Sequence, residues 1–204
     1  MSHTTESPVT RWWWVRHAPV VDAHLKHITG QNDVDADVTD GKAFQALAQH
    51  LPANAVWFTS PLKRTAQTAQ ALTRAGAEAV EPLVEPAWAE QNFGDWTGLT
   101  WDAIGADQPF WDAPTTSRPP GEGSESFSDQ CDRVAKRSLE LSDEFAGRDL
   151  VCVAHAGTIR AALACALGLS PEQALTAQVY NLSLTRLDYV GAGNWRVVGL
   201  NQVC

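Results

Sequence analysis

Basic residues are scarce. The 204 residues hold 15 Lys and Arg against 24 Asp and Glu, a formal charge of -9. That excludes a general nucleic-acid or anionic-membrane binder, which needs a basic surface, but leaves room for a locally positive pocket. Charged residues total only 19%, below the roughly 25% of ordinary soluble domains. No apolar run approaches the ~18 residues that cross a bilayer, and residues 1–10 lack the basic-then-apolar pattern of a secretory signal. The four cysteines, Cys131, Cys152, Cys165 and Cys204, form no C-x-x-C pair. Free thiols in a reducing, cytoplasmic compartment are therefore expected, rather than disulfides or a metal site. Repeats and low-complexity tracts are also missing.

What is present is 44% hydrophobic residues, the share of a globular chain, at a length that fits one α/β domain over 1–204. Residues 11–16, RWWWVR, are too short for a helix and rich in strand formers. A helix is predicted over 40–51, with Phe44, Leu47, Ala48 and Leu51 on one face. VWFT at 56–59 reads as a second strand. Ser60-Pro61 reads as the cap and first turn of a helix running to Arg74 and closed by Gly76. Residues 80–84 read as an edge strand, because Pro82 cannot serve a central one. The Pro-, Gly- and Trp-rich stretch 86–125, with a short helix near 101–104, reads as a cap over a site. Ser126 and Asp129 open a helix over 126–145 with capping-box spacing. LVCVA at 150–154 is a continuous apolar strand, followed by a helix over 157–167. Late strands at 182–189 and 195–200 flank a Gly191–Gly193 turn. Strands alternating with helices predict a mainly parallel sheet covered on both faces, a three-layer α/β/α sandwich.

In such sheets ligands sit beyond the carboxyl ends of the strands. Three of those ends carry unusual polar residues: Arg16-His17, Arg64 in the first turn after the second strand, and His155-Ala156-Gly157. Two arginines and two histidines on one sheet edge suit a phosphoryl group. Arginine binds phosphate oxygens bidentately and stays charged at any working pH. Backbone N–H groups near Gly157 add a candidate anion site. An imidazole can attack phosphorus and split one displacement into two. This chemistry requires no metal and no cofactor.

The blocks VRHAP (15–19), SPLKRTAQTA (60–69), EQNFGDWTGLTWDAI (90–104), ESFSDQCDRV (125–134) and VAHAGTIRAAL (153–163) resemble, in that order, the histidine phosphatase or phosphoglycerate mutase-like superfamily. The chain is most similar to its short phosphatase branch, which includes α-ribazole phosphatase. The resemblance implies a phosphomonoesterase of the histidine acid phosphatase type, acting on a small phosphorylated substrate. His17 would be the phosphorylated nucleophile, and Arg16, Arg64 and His155 would hold the phosphoryl oxygens. Glu90 would donate a proton to the leaving group and then activate water. As a proton donor it needs desolvation, which Trp88, Trp96 and Trp101 would provide.

The family's RHG triplet reads Arg16-His17-Ala18 here, and His24 stands where a phosphate-binding Asn is usual. His24 and Gln31 are the candidate replacements. His24, His27, Asp33, Asp35 and Asp37 read as a solvated loop in preference to a metal cluster. Trp12, Trp13 and Trp14 read as sheet packing. Trp96, Trp101 and Trp111 read as packing too, with stacking on a planar leaving group as the alternative. Two other functions stay open: a cofactor-dependent phosphoglycerate mutase, which this length disfavours, and a non-catalytic phosphate-binding domain. Monomer and homodimer both remain open.

Overall fold

The computed structural model describes residues 8–21 and 26–204. Six strands form one sheet in the order β3-β2-β4-β1-β5-β6: β1 (Thr10–Arg16), β2 (Val56–Thr59), β3 (Leu83–Val84), β4 (Asp149–Ala154), β5 (Leu184–Gly191) and β6 (Asn194–Gln202). The pairs β3·β2, β2·β4 and β4·β1 are parallel, whereas β1·β5 and β5·β6 are antiparallel. The sheet is therefore mainly parallel, as expected, with an antiparallel flank.

Alternation along the strands separates two cores. Trp12 and Trp14 of β1, with Leu150, Cys152 and Ala154 of β4, pack under α4 (Phe127–Glu144) and α5 (Ala156–Leu167). Val15, Trp57, Val151 and Val153 pack under α1 (Gly41–Ala48) and α2 (Lys63–Arg74). Trp12 and Trp14 stack 5.2 Å apart, with Trp88 edge-on to both. Trp13 turns to the other face, where its indole lies 4.2 Å from the Arg186 guanidinium. All three tryptophans of β1 are thus packing residues.

Capping settles several boundaries. Asp40 caps α1 by accepting from the Ala43 N–H, and Ser126 and Asp129 form the capping box of α4. Predicted and observed boundaries differ at α2. That helix starts at Lys63 after an extended Leu62, and no side chain caps it. Ser60 is not the cap, because its Oγ is held instead by His155 and the Leu62 N–H. Asp33 accepts from the Lys63 N–H at 2.7 Å and covers that helix end from a distance. β3 keeps only two of the five predicted residues, since Pro82 immediately precedes it. A five-residue helix, α6 (Pro171–Leu175), was not expected, although Ser170 and Gln173 form a capping box there. Ala192 and Gly193 both have positive φ, which fits the two-residue turn between β5 and β6.

Residues 86–125 form a string of short turns with one helix, α3 (Trp101–Ile104). Ile28, Trp96, Ile104 and Phe110 make a small core of their own beneath it. Among the described residues, no helix is long and apolar enough to cross a membrane, and the four cysteines are free.

Candidate active site

The carboxyl ends of β1, β2 and β4 lie at one edge, with Arg16 beside Ala154 and Thr59 beside Val153. A cavity of about 400 Å³ opens there, lined by Arg16, His17, Arg64, Glu90, Arg160 and Asn181 among others. Parallel register alone brings His17 and His155 together across 138 residues of chain. Their ring centres are 5.0 Å apart.

Arg64, on the first turn of α2, lies between the two imidazoles. Its Nε donates to His17 Nε2 at 3.3 Å and to His155 Nδ1 at 3.2 Å. Its Nη atoms donate to the carbonyls of Asn32 (2.9 Å) and Gly30 (2.7 Å). The guanidinium is thus fixed by loop backbone on one side and aimed at the rings on the other. These contacts also settle the tautomers. His17 Nδ1 meets the Ala18 carbonyl at 2.6 Å, an acceptor only, so Nδ1 carries the proton and Nε2 the lone pair. In His155, Nδ1 accepts from Arg64, and Nε2 donates to Ser60 Oγ at 2.8 Å.

Burial holds both imidazoles well below their usual range, and the Arg64 charge pushes them the same way. Both rings are therefore neutral at pH 7. Burial also lowers Arg64 to about 10, with Glu90 and Asp33 opposing that shift, which leaves it charged. A folded state with depressed histidines binds fewer protons than the unfolded chain below about pH 6.5. Their contribution to stability is complete above that value and declines as pH falls beneath it. Asp129, held at about 2 by Arg118 and Ser126, acts in a separate window below about pH 4. A melting temperature that drops between pH 6.5 and 5 is the expected result. One that is flat or rises there contradicts neutral buried rings.

Arg16 donates from Nη1 to the Val179 carbonyl at 2.7 Å, and its buried Nε has no partner among the described residues. Glu90 is held by three donors: Gln130 Nε2 of α4 at 3.0 Å, the adjacent Gln91 N–H at 3.1 Å and the Gly157 N–H of α5 at 3.3 Å. Arg133 braces this segment by donating to the Ala87 and Ala89 carbonyls and to Glu125.

Other expected residues lie elsewhere. His155 is fully buried behind Arg64 and does not line the cavity. The Gly157 N–H, expected to serve an anion, is turned to the Glu90 carboxylate. Ala156 and Gly157 line a neighbouring apolar pocket instead. Gln31 is outside the cavity wall and donates to the Glu90 carbonyl at 2.9 Å. His24 lies outside the described residues. Of the tryptophans expected around Glu90, Trp101 lines the cavity, whereas Trp88 and Trp96 are in cores. Asp33, Asp35 and Asp37 are engaged by Lys63, Gln67 and Thr39.

Sequence reasoning missed four participants. Ser60 and Gln130 hold His155 and Glu90. Asn181 Nδ2 donates to the His17 carbonyl at 2.8 Å. Arg160 adds a third cation to the wall. Only Arg160 had a visible signal, on the helix that His155 precedes.

The family profile described as histidine phosphatase superfamily (branch 1) matches residues 12–203. A Mycobacterium tuberculosis protein described as bifunctional is 27% identical over 214 residues, covering 95% of this chain. The chain spans only 58% of that relative's length. A 2,3-bisphosphoglycerate-dependent phosphoglycerate mutase from Cytophaga hutchinsonii is 33% identical over 125 residues, 56% of each chain. Among solved structures, a mycobacterial glucosyl-3-phosphoglycerate phosphatase superposes with a TM-score of 0.79 at 26% identity, covering 95% of this chain and 99% of the other.

Proposed function

This chain belongs to branch 1 of the histidine phosphatase superfamily, and from that premise we propose that it hydrolyses small phosphate monoesters through a phosphohistidine at His17. The observation that carries the reading is the clamp of Arg64 between two neutral imidazoles, one with its lone pair on Nε2.

In the first step His17 Nε2 attacks phosphorus and the ester P–O bond breaks. The departing oxygen takes the proton held by Glu90. Arg16 and Arg64 stabilise charge on the non-bridging oxygens, the incoming phosphoryl group taking over the Nε–H that Arg64 gives His17. Such preset charge contributes most to a reaction whose uncatalysed rate is among the slowest known. His155 and Ser60 position Arg64, and Asn181 positions the His17 backbone. In the second step Glu90 accepts a proton from water, the water oxygen attacks phosphorus and the P–N bond breaks. Inorganic phosphate leaves, and the imidazole is neutral again. Neither step calls for a metal.

Because acid does not readily charge His17, the nucleophile stays competent below pH 6.5. This agrees with activity of the acid phosphatase type. A small-metabolite substrate in the cytoplasm fits the four free thiols and the phosphatase structure it superposes on. The mutase reading is weaker, since that match reaches only 56% of the chain.

Rapid acid-free quenching after mixing with a phosphate-labelled ester tests the mechanism. The label should map to His17 and be released by acid. Turnover with label on another residue, or with none at any time point, overturns it.

A further inference from the structure

A second cavity, of about 240 Å³, adjoins the first and shares Glu90, Phe93, Trp101 and Arg160 with it. Its remaining wall is largely apolar, built from Phe110, Trp111, Phe127 and Leu175. Trp101 and Trp111 stand 5.9 Å apart and stay 48% and 39% exposed. Large apolar side chains left open beside a polar catalytic cavity mark a binding surface.

We propose that this pocket takes the alcohol half of the ester, and that the preferred substrates carry a flat aromatic body there. The inference rests on the phosphatase reading and names the substrate class of that same site. Arg16, His17 and Arg64 line only the first cavity, while Glu90 lines both. A phosphoryl group seated among the first three puts its bridging oxygen at Glu90. The rest of the ester then enters the second cavity. Trp101 is edge-on to Phe93, Trp111 is edge-on to Phe110, and the two indoles are tilted by 55°. A planar ring inserted here gains the stacked and edge-to-face contacts that aromatic pairs prefer. A small polyhydroxylated leaving group finds few partners. Arg160 Nε is already given to the Ala177 carbonyl, and unpaired hydroxyls in an apolar wall are selected against.

Non-hydrolysable ligands test the pocket apart from turnover. Binding of a naphthyl-bearing alkylphosphonate and of propylphosphonate is compared by calorimetry. The naphthyl ligand should bind about tenfold tighter or better. Trp111→Ala should remove most of that ratio, and Trp111→Phe should keep it. Because the ratio is taken on one preparation, partial misfolding cancels. Equal affinities, or a ratio that survives in both Trp111→Ala and Trp101→Ala, overturn the inference. Hydrolysis is read separately: turnover of esters without aromatic preference sinks the pocket alone. Aromatic preference without turnover of naphthylalkyl phosphate sinks the phosphatase reading alone.

Discussion

His17→Ala abolishes hydrolysis, lowering kcat by about 10⁴-fold or more, while phosphate still binds. The size follows from the step removed: of the two imidazoles that Arg64 clamps, only His17 lines the cavity. Losing a covalent nucleophile costs on this scale, and what survives is the contribution of the charged pocket. Binding persists because Arg16 and Arg64 supply the attraction, and Arg64 keeps its anchors at Gly30 and Asn32. The variant also removes one proton-resisting ring, so its melting temperature falls less steeply below pH 6.5 than that of the parent. Phosphate release, phosphate calorimetry and thermal melts at several pH values check the three effects. A variant that retains turnover within tenfold excludes His17 as the nucleophile. A parent chain that binds phosphate and never turns over would instead be a binding domain.

Gly157→Ala is expected to lower kcat by about 10²–10⁴-fold, the usual contribution of a positioned acid or base. A Cβ built on Gly157 overlaps Glu90 Oε1 and comes within 2.7 Å of Gln130 Oε1. The same change places a better helix former at the start of α5. Since the displaced atom ends a loop side chain, the damage falls on the site and not on the fold. The melting temperature should move by less than about 5 °C. The loss should also depend on the ester. Alkyl phosphates, whose leaving oxygen needs the proton, suffer most, and nitrophenyl phosphate suffers least. An equal loss for both esters, or a collapse of the melt, would show that Glu90 positioning is not what the glycine protects.

Local pattern made much of this fold legible. The three-tryptophan strand, the apolar LVCVA run and the Ser126–Asp129 capping box declare themselves within a few residues of chain. The converging strand ends also follow, because a parallel sheet puts its carboxyl ends on one side. Side-chain partners beyond that edge were not legible. Ser60-Pro61 has the local chemistry of a helix cap, yet a long-range bond to His155 takes the hydroxyl. Gln130 looks like any polar residue in the first turn of a helix until α4 packs beside Glu90. The N-terminus of α5 looks like a vacant anion site only when the loop carboxylate that reaches it is ignored. Each miss is a contact between residues dozens of positions apart, which no window of sequence contains.

The strand order has a consequence for biosynthesis. β1 lies between β4 and β5, so the earliest-translated ribbon of the sheet receives both its neighbours from the last third of the chain. Until Asp149–Ala154 has left the ribosome, three consecutive indoles wait with both backbone edges unpaired, an invitation to wrong partners. A nascent fragment ending near residue 148 holds His17, Arg16 and Arg64, yet lacks His155, the second ring that Arg64 meets. The candidate site is therefore completed late: His155 follows the fourth strand, and Arg160 and Asn181 come later still.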